Sequence, residues 1–257
     1  DIISQVKAPW RETLLLDVFP ELPPTNQYLV SQPPMSALAM TSAWVAVADL
    51  QTAGVGRRGK SWLSRPGNIS FSLLRHFDVS IGALTGLSLV TGVTIADVLA
   101  DLCGIDCQLK WPNDVYCQDA KLAGVLIEVP RSTASSCSVV CGMGINCMPF
   151  PRSHAPDQPV TSISELSRTE VTREEIIGTL IQRLLDNYAR YISQGLDGFL
   201  AQWNARDYLA GKDVCVLSGQ ERLLGVADGI AGNGELQVYI NGKLQLFNAG
   251  EVSIRRR

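Results

Sequence analysis

The chain has 257 residues, of which 46% are hydrophobic and 18% charged, so a packed core can form and global disorder is excluded. Lys and Arg number 22 against 25 Asp and Glu, and the net charge of -3 argues against a chain that binds nucleic acid over its whole surface. The length suits one medium domain with a small one, or a single large one.

In chain order, residues 1–35 are Pro-rich and end in Gln32-Pro33-Pro34. They predict an entry strand over 14–18, then a loop and a short helical piece over 26–30. Residues 43–50 (AWVAVADL) read as a buried strand, and a loop rich in glycine and arginine follows over 52–60. Residues 69–74 alternate Ile, Phe and Leu against Ser, the pattern of a half-buried strand. Residues 81–102 read as an apolar helix. Thr, Ser, Gly and Asp97 break that run, so it falls short of the roughly 18 uninterrupted apolar residues of a membrane span. Strands are predicted over 107–111, 122–129 and 138–145. The turns Pro112-Asn113-Asp114 and Gln118-Asp119-Ala120 divide the first two, and 131–136 and 149–159 read as polar loops.

Thr172 and Glu175 have the spacing of a capping box before a helix whose apolar face is Ile176, Ile177, Leu180, Ile181, Leu184, Leu185 and Tyr188. Gly195 is its expected stop. A second helix carries Phe199, Leu200 and Trp203. From Gly211 the texture changes to short alternating strands over 213–217, 223–230, 235–240, 243–247 and 251–254. Asn233-Gly234 and Asn241-Gly242 are type I′ hairpin signals. Strands this short and close predict a small barrel, with the boundary near Gly211. Residues 255–257 form a basic tail.

The seven cysteines include no C-x-x-C pair, and the histidines are His76 and His154. Zinc spacing is absent, and scattered apolar cysteines read as reduced core residues of a cytosolic protein. No His–Asp arrangement stands near a cysteine, so a thiol nucleophile is not expected, and both histidines read as structural. No signal peptide is visible. The chain starts at Asp1 without Met, and an N-terminal piece is expected to be missing.

Four constellations carry chemistry. The first is Gly54-Val55-Gly56-Arg57-Arg58-Gly59-Lys60 with Trp62. Residues 51–77 hold five Lys or Arg and no Asp or Glu. Glycines let backbone amides approach an oxyanion, and arginine adds two-point hydrogen bonding to phosphate or carboxylate. The loop matches neither G-x-x-x-x-G-K-[ST] nor G-x-G-x-x-G, and a solvated basic hairpin reads equally well. The second is Lys110-Trp111-Pro112-Asn113-Asp114 with Lys121-Leu122-Ala123-Gly124. Its two strand-end lysines can converge on one site, although a plain turn beside an edge lysine explains the pattern too. The third is Gly142-x-Gly144-x-Asn146. Period 2 puts all three on one face of a strand, as a slot for a flat ligand or as a close crossing under another element. The fourth is Thr25-Asn26-Gln27 with Gln51, neutral groups suited to a urea- or amide-like ligand, or simply a helix cap.

Taken in order, Gln51 to Trp62, Lys110 to Asp114, Lys121 to Leu126 and Gly142 to Asn146 closely resemble the biotin–protein ligases, from about Leu15 to the C-terminus. The resemblance implies an α+β fold. A mixed-sheet catalytic domain packed with helices would span 1–210, and an SH3-like barrel 211–257. It implies ATP-dependent conversion of biotin to biotinyl-5′-AMP with Mg²⁺, then transfer to a lysine of the biotin carboxyl carrier domain of acetyl-CoA carboxylase. By motif position, biotin would meet Thr25, Asn26, Gln51, Val55, Gly56, Arg57, Lys121, Gly124, Gly142 and Gly144. The adenylate would meet Arg58, Lys60, Trp62, Asn113 and Asn146. Lys121, Arg57 and Lys110 would carry catalysis, with no protein metal ligand.

A mobile flap over the reactive anhydride is expected to be disordered without ligand. Three departures stand out. Val55 occupies a usual arginine position, Pro24 a usual serine position, and Lys60 a frequent arginine position. The same chemistry admits a lipoate–protein ligase. A second alternative is the ligand-binding fragment of a biotin-responsive repressor, although no recognition helix is visible and these residues are expected not to bind DNA. A homodimer, a cytoplasmic location and no membrane association complete the expectations.

Overall fold

A computed structural model describes residues 1–34, 42–150, 158–218, 221–250 and 252–256. After a single turn, α1 (Trp10–Thr13), the entry strand β1 (Leu14–Leu22) runs parallel to β2 (Ala43–Gln51), with α2 (Thr25–Val30) between them. Then come β3 (Ile69–Phe77), α3 (Leu87–Cys103), β4 (Gln108–Lys110), β5 (Asp114–Cys117), β6 (Ala120–Ser132) and β7 (Cys137–Ile145). These strands form one sheet in the order β1-β2-β3-β7-β6-β5-β4, antiparallel beyond the first pair. The fold is α+β with a mixed sheet, as expected.

Period-2 alternation gives the sheet two different faces. Val45 and Val47, then Ile69, Phe71 and Leu73, then Val139, Cys141, Met143 and Ile145, join one large core with the buried residues of α3 and of α5 (Arg173–Gln194). The short α4 (Ile163–Leu166) precedes α5, and α6 (Asp197–Asn204) follows it. α3 is apolar all round because it is enclosed. The stretch Ile81–Cys103 is long and apolar enough to cross a membrane, yet 72% of its most apolar window is buried in the protein. The helix expected over 81–102 opens with a 3-10 turn, Ile81–Leu84, before α3 begins.

α5 begins with the expected capping box. Thr172 Oγ1 accepts from the Glu175 amide at 3.2 Å, and Glu175 Oε2 accepts from the Thr172 amide at 2.8 Å. The helix stops at Gly195, where φ is 67°.

Three expectations need correction. The strand predicted as half-buried is buried on both faces over Ile69 to Leu74, because its serines lie beneath other elements instead of facing water. Residues 114–117, left between two turns, form β5. Four residues are too few for alternation to show, and the two-residue turn at Gln118 (φ 50°) and Asp119 (φ 61°) pairs β5 with β6. The polar loop expected over 131–136 begins later, since β6 runs on to Ser132.

The C-terminal strands are β8 (Asp213–Ser218), β9 (Glu221–Ile230), β10 (Leu236–Ile240), β11 (Lys243–Phe247) and β12 (Val252–Arg256). They form an antiparallel sheet in the order β11-β10-β9-β8-β12. Among the described residues no ladder joins β11 to β12, so the expected barrel is an open sheet. Asn241 (φ 51°) and Gly242 (φ 75°) make the expected type I′ turn. At Asn233-Gly234 only the glycine has positive φ, 86°. A hydrogen bond from the Ala231 amide to the Glu235 carbonyl closes a three-residue loop there, so one left-handed residue suffices. His154 lies outside the described residues.

Phe71 is fully buried on the helix side of the central strand. Phe71→Ala is expected to cost about 3–5 kcal/mol of folding stability, and Val18→Ala on the edge strand less than about 0.5 kcal/mol. Denaturant unfolding of both variants checks the pair.

Candidate active site

On the sheet face opposite α3 and α5, cross-strand register lines up small side chains. Ala48, Ser70, Gly144, Gly124 and Asp114 stand opposite one another across β2, β3, β7, β6 and β5. The neighbouring row is Ala46, Ser72, Gly142 and Leu126. The result is a lane with a backbone floor. A Cβ added to Gly144 would stand 2.3 Å from the Trp62 ring, and one on Gly142 would stand 2.2 Å from Asn26 Oδ1. The glycines are thus required by the close approach of Trp62 and Asn26, the crossing-element reading of the pattern, and the Trp62 indole lies over Gly144.

One end of the lane is a neutral polar chain. Pro24 occupies the N-cap of α2 and offers no side-chain acceptor. Gln51 Oε1 takes that part, accepting from the Thr25 amide at 2.8 Å and from Thr25 Oγ1 at 3.2 Å. Thr25 Oγ1 and Ser72 Oγ are 2.7 Å apart, and Ser72 Oγ donates to Asn26 Oδ1 at 2.6 Å. Asn26 Nδ2 donates to Glu128 Oε2 at 2.7 Å and to the Leu126 carbonyl at 3.3 Å.

The Gly-rich loop folds over the other end. Trp62 N donates to the Gly54 carbonyl at 2.8 Å, Gly56 N to the Lys60 carbonyl at 2.7 Å, and Val55 bridges Ser61. The loop forms a hairpin closed by these backbone bonds. Arg57 Nη1 donates to Asn113 Oδ1 at 3.2 Å and Nη2 donates to the Ala249 carbonyl, while Arg58 Nη2 reaches the Gly250 carbonyl at 3.4 Å. Val55 is 46% exposed, and Arg58 and Lys60 are exposed.

Lys121 Nζ sits 2.6 Å from Asp114 Oδ1 and 5.5 Å from the centroid of the Trp62 ring. A Cβ on Gly124 would meet that ammonium at 3.2 Å and Trp62 at 3.3 Å. Asn113 Nδ2 donates to the Val125 carbonyl at 2.7 Å. Asn146 Nδ2 donates to the Lys121 carbonyl at 3.3 Å and the Thr161 carbonyl at 3.2 Å. Contacts between motifs thus join all four constellations on one face. Lys110 is engaged otherwise. Its ammonium accompanies the Tyr116 hydroxyl at 3.1 Å and packs over the Tyr116 and Tyr208 rings.

The model of the biotin/lipoate A/B protein ligase family matches residues 18–146. The Bifunctional ligase/repressor BirA of Escherichia coli K12 is 32% identical over 93% of this chain and 73% of its own length. The chain belongs to the biotin/lipoate A/B protein ligase family. The Biotin–[acetyl-CoA-carboxylase] ligase of Mycobacterium tuberculosis H37Rv is 31% identical over 95% of this chain and 89% of that protein. The Aquifex aeolicus biotin protein ligase, solved in complex with biotin and ATP, superposes with a TM-score of 0.80 at 27% identity, covering 95% of this chain and 99% of that one.

Within this ligase fold the electrostatics are uneven. Arg57 is half-buried, and desolvation, then repulsion from Arg58, holds its guanidinium below the ordinary arginine range. Both its hydrogen-bond partners are neutral carbonyl oxygens, and the Asp114 carboxylate, which opposes the shift, acts on it only at a distance and without a hydrogen bond. Burial pushes the thiols of Cys103, Cys107, Cys117, Cys137, Cys141 and Cys147 up, away from the thiolate form a nucleophile needs. His76 lies beside Ser138 and Asp78 on the core sheet, a structural placement.

Sequence reasoning gave no role to Asp114, Ser72 or Glu128. Ser72 carried a signal, since serines alternate with apolar residues along β3. Glu128 carried none, because only folding brings it to Asn26. Ser72→Ala removes the hydroxyl between Thr25 and Asn26 and is expected to destabilise the ligase by about 1–3 kcal/mol, the cost of a buried group left unpaired. A matching loss in Ser72→Cys, which keeps the side chain but replaces the hydroxyl with a weakly hydrogen-bonding thiol, checks by denaturant unfolding that the hydroxyl is responsible.

Proposed function

We propose that this chain is a biotin–protein ligase that condenses biotin with ATP to biotinyl-5′-AMP and passes the biotinyl group to a lysine of a biotin carboxyl carrier domain. The observation that carries the reading is the small-residue lane with Lys121 and Arg57 at one end and the neutral Gln51–Thr25–Ser72–Asn26 chain at the other. Relatives at 30–31% identity named as biotin–[acetyl-CoA-carboxylase] ligases favour biotin over lipoate within the family.

Biotin is flat, polar at its ureido end and apolar along its chain. The neutral hydroxyl and amide groups suit the ureido ring, and the backbone floor over Gly142 suits a flat bicycle. Its carboxylate then points along the lane toward Lys121. Adenylation brings this carboxylate to the α-phosphate of ATP, and the two anions repel. Arg57, hydrogen-bonded only to neutral carbonyl oxygens, and Lys121, paired with Asp114, oppose that repulsion as negative charge builds on phosphorus. The carboxylate oxygen bonds to the α-phosphorus, and pyrophosphate leaves. Trp62 and the flap shield the mixed anhydride from water. In the second step the carrier lysine attacks the biotinyl carbonyl and AMP leaves, so the enzyme needs no nucleophile of its own.

Among the described residues no three His, Cys, Asp or Glu side chains gather as a metal cage. Mg²⁺ therefore fits as the counter-ion of the nucleotide, which neutralises phosphate charge, rather than as a resident ion. Residues 1–210 would carry this chemistry, and 211–257 would support the flap through the Ala249 and Gly250 carbonyls. A cytoplasmic location is supported by seven free thiols.

Incubation with biotin, Mg-ATP and a carrier domain is expected to add one biotinyl mass to the carrier. No mass gain, or a gain with lipoate in place of biotin, overturns the reading. Lys121→Ala is expected to slow pyrophosphate release at least about a hundredfold with folding retained, and a near-wild-type rate removes Lys121 from its role. Arg57→Ala is expected to leak free biotinyl-AMP into solution, measured by filtration and chromatography, and unchanged retention makes Arg57 a bystander.

A further inference from the structure

β4 and β5 form the hairpin that carries the Lys110–Asp114 turn. Cys107 precedes β4 and Cys117 ends β5. The register pairs Lys110 with Asp114, Leu109 with Val115 and Gln108 with Tyr116, so one step further Cys107 stands opposite Cys117. Side chains directly opposite across an antiparallel pair lie on the same face.

The backbone also fixes the kind of pair. Leu109 N donates to the Arg206 carbonyl at 2.7 Å, and the Leu109 carbonyl accepts from the Tyr208 amide at 2.9 Å. Both groups of Leu109 thus turn away from β5, and Leu109–Val115 is a non-hydrogen-bonded pair. The two kinds alternate along the ladder, so Cys107–Cys117 is non-hydrogen-bonded as well. Such pairs bring their Cα atoms to about 4.5 Å, within the span of about 4.4–6.8 Å that a disulfide bridges.

The sulfurs follow the backbone. Cys117 Sγ donates to the Asp106 carbonyl at 3.6 Å, so it lies against the chain just before Cys107. Burial, then the neighbouring Cys117, pushes the Cys107 thiol up to about 12. Both thiols are free, and both line a cavity of about 400 Å³ with Asp106, Gln108, Gln118 and Arg206. Asp106, Gln108 and Gln118 are exposed, so the cavity gives a small molecule a route to the two sulfurs.

We propose that Cys107 and Cys117 are an oxidisable dithiol, a modification site that hydrogen peroxide closes to a cross-strand disulfide. Cys117, 7% exposed against 1% for Cys107, reacts first. Its sulfur bonds to one peroxide oxygen, the O–O bond breaks, and the released hydroxide takes up the thiol proton as water, leaving a sulfenic acid. The Cys107 sulfur then bonds to the Cys117 sulfur, the S–O bond breaks, and the hydroxyl leaves with the Cys107 proton as a second water. The two sulfurs lose two electrons and the peroxide gains them. The bond closes a ring over residues 107–117, enclosing the turn whose Asn113 and Asp114 hold Arg57 and Lys121. Burial keeps the thiolate scarce, so the pair stays reduced until peroxide is in excess.

The test treats the folded protein with excess hydrogen peroxide, blocks the remaining thiols and digests with trypsin. Cleavage after Lys110 puts Cys107 on residues 76–110 and Cys117 on 111–121, so the bridge joins two peptides. Joined peptides are expected in the wild type and in Cys103→Ser, are expected to be absent in Cys107→Ser, and are expected to part with dithiothreitol. The oxidised wild type is expected to melt at least about 4 °C above the same sample after dithiothreitol, because a bridge at a matching pair constrains the unfolded chain without straining the fold. No joined peptides in the wild type overturns the proposal whether or not the variants fold. A joined pair that persists in Cys107→Ser, or disappears in Cys103→Ser, gives the bridge to Cys103 and overturns it too. So does a melting temperature that dithiothreitol leaves unchanged or raises.

Discussion

Everything in the site depends on side chains that are absent in one place and large on the other side of the same strands. β3 and β7 alternate between the two. Ile69, Phe71, Leu73, Val139, Cys141, Met143 and Ile145 fill the core under α3 and α5, while Ser70, Ser72, Gly142 and Gly144 face the lane. A slip of one residue in the pairing would bury glycine in the core and lift Phe71 and Met143 into the lane. The apolar packing that stabilises the sheet therefore also sets the register that makes the slot. Bare glycines in a strand weaken it, and here the neighbouring positions compensate with complete burial.

The second constraint is electrical. A site for two anions needs cations that are not already neutralised, and an unpaired half-buried charge is costly. The protein resolves this in two ways. Arg57 is held by carbonyl oxygens of Asn113 and Ala249, which satisfy its N–H groups without taking its charge. Lys121 is held by Asp114, which keeps a mobile ammonium in place but shares the charge. The Ala249 and Gly250 carbonyls lie just past β11, so the small C-terminal sheet reaches into the chemistry through the backbone alone.

Most of the architecture was legible because its signals are local. The capping box at Thr172, the stop at Gly195 and the turn at Asn241-Gly242 need only a few residues each. The apolar run before Cys103 needs only its own composition. What stayed hidden depends on partners distant in the chain. β5 is too short to declare a period. Ser72 looked solvent-facing because the residues that cover it, Thr25 and Asn26, lie more than forty positions earlier in the chain. The site motifs were visible as residue types, but their mutual contacts, Arg57 with Asn113 and Trp62 with Gly144, exist only once seven strands are in register. Lys110 stands at a strand end as expected, yet Tyr116 and Tyr208 engage its ammonium.

The departures from the family pattern fall where the fold tolerates them. Pro24 removes a hydroxyl from the start of α2, but Gln51 Oε1 satisfies the Thr25 amide there, and Ser72 places a hydroxyl between Thr25 and Asn26. The polar end of the lane keeps its hydrogen-bonding capacity, with the donor supplied from the sheet rather than from the helix cap. Val55 removes a guanidinium from a residue that is 46% exposed and whose structural part, the bridge to Ser61, is played by the backbone. A charge in that outward position is screened by solvent and acts weakly on the lane. Arg57, two residues on, is turned inward and half-buried, where a charge acts most strongly on an approaching phosphate. The chain has thus dropped the arginine that water screens and kept the one that the protein encloses.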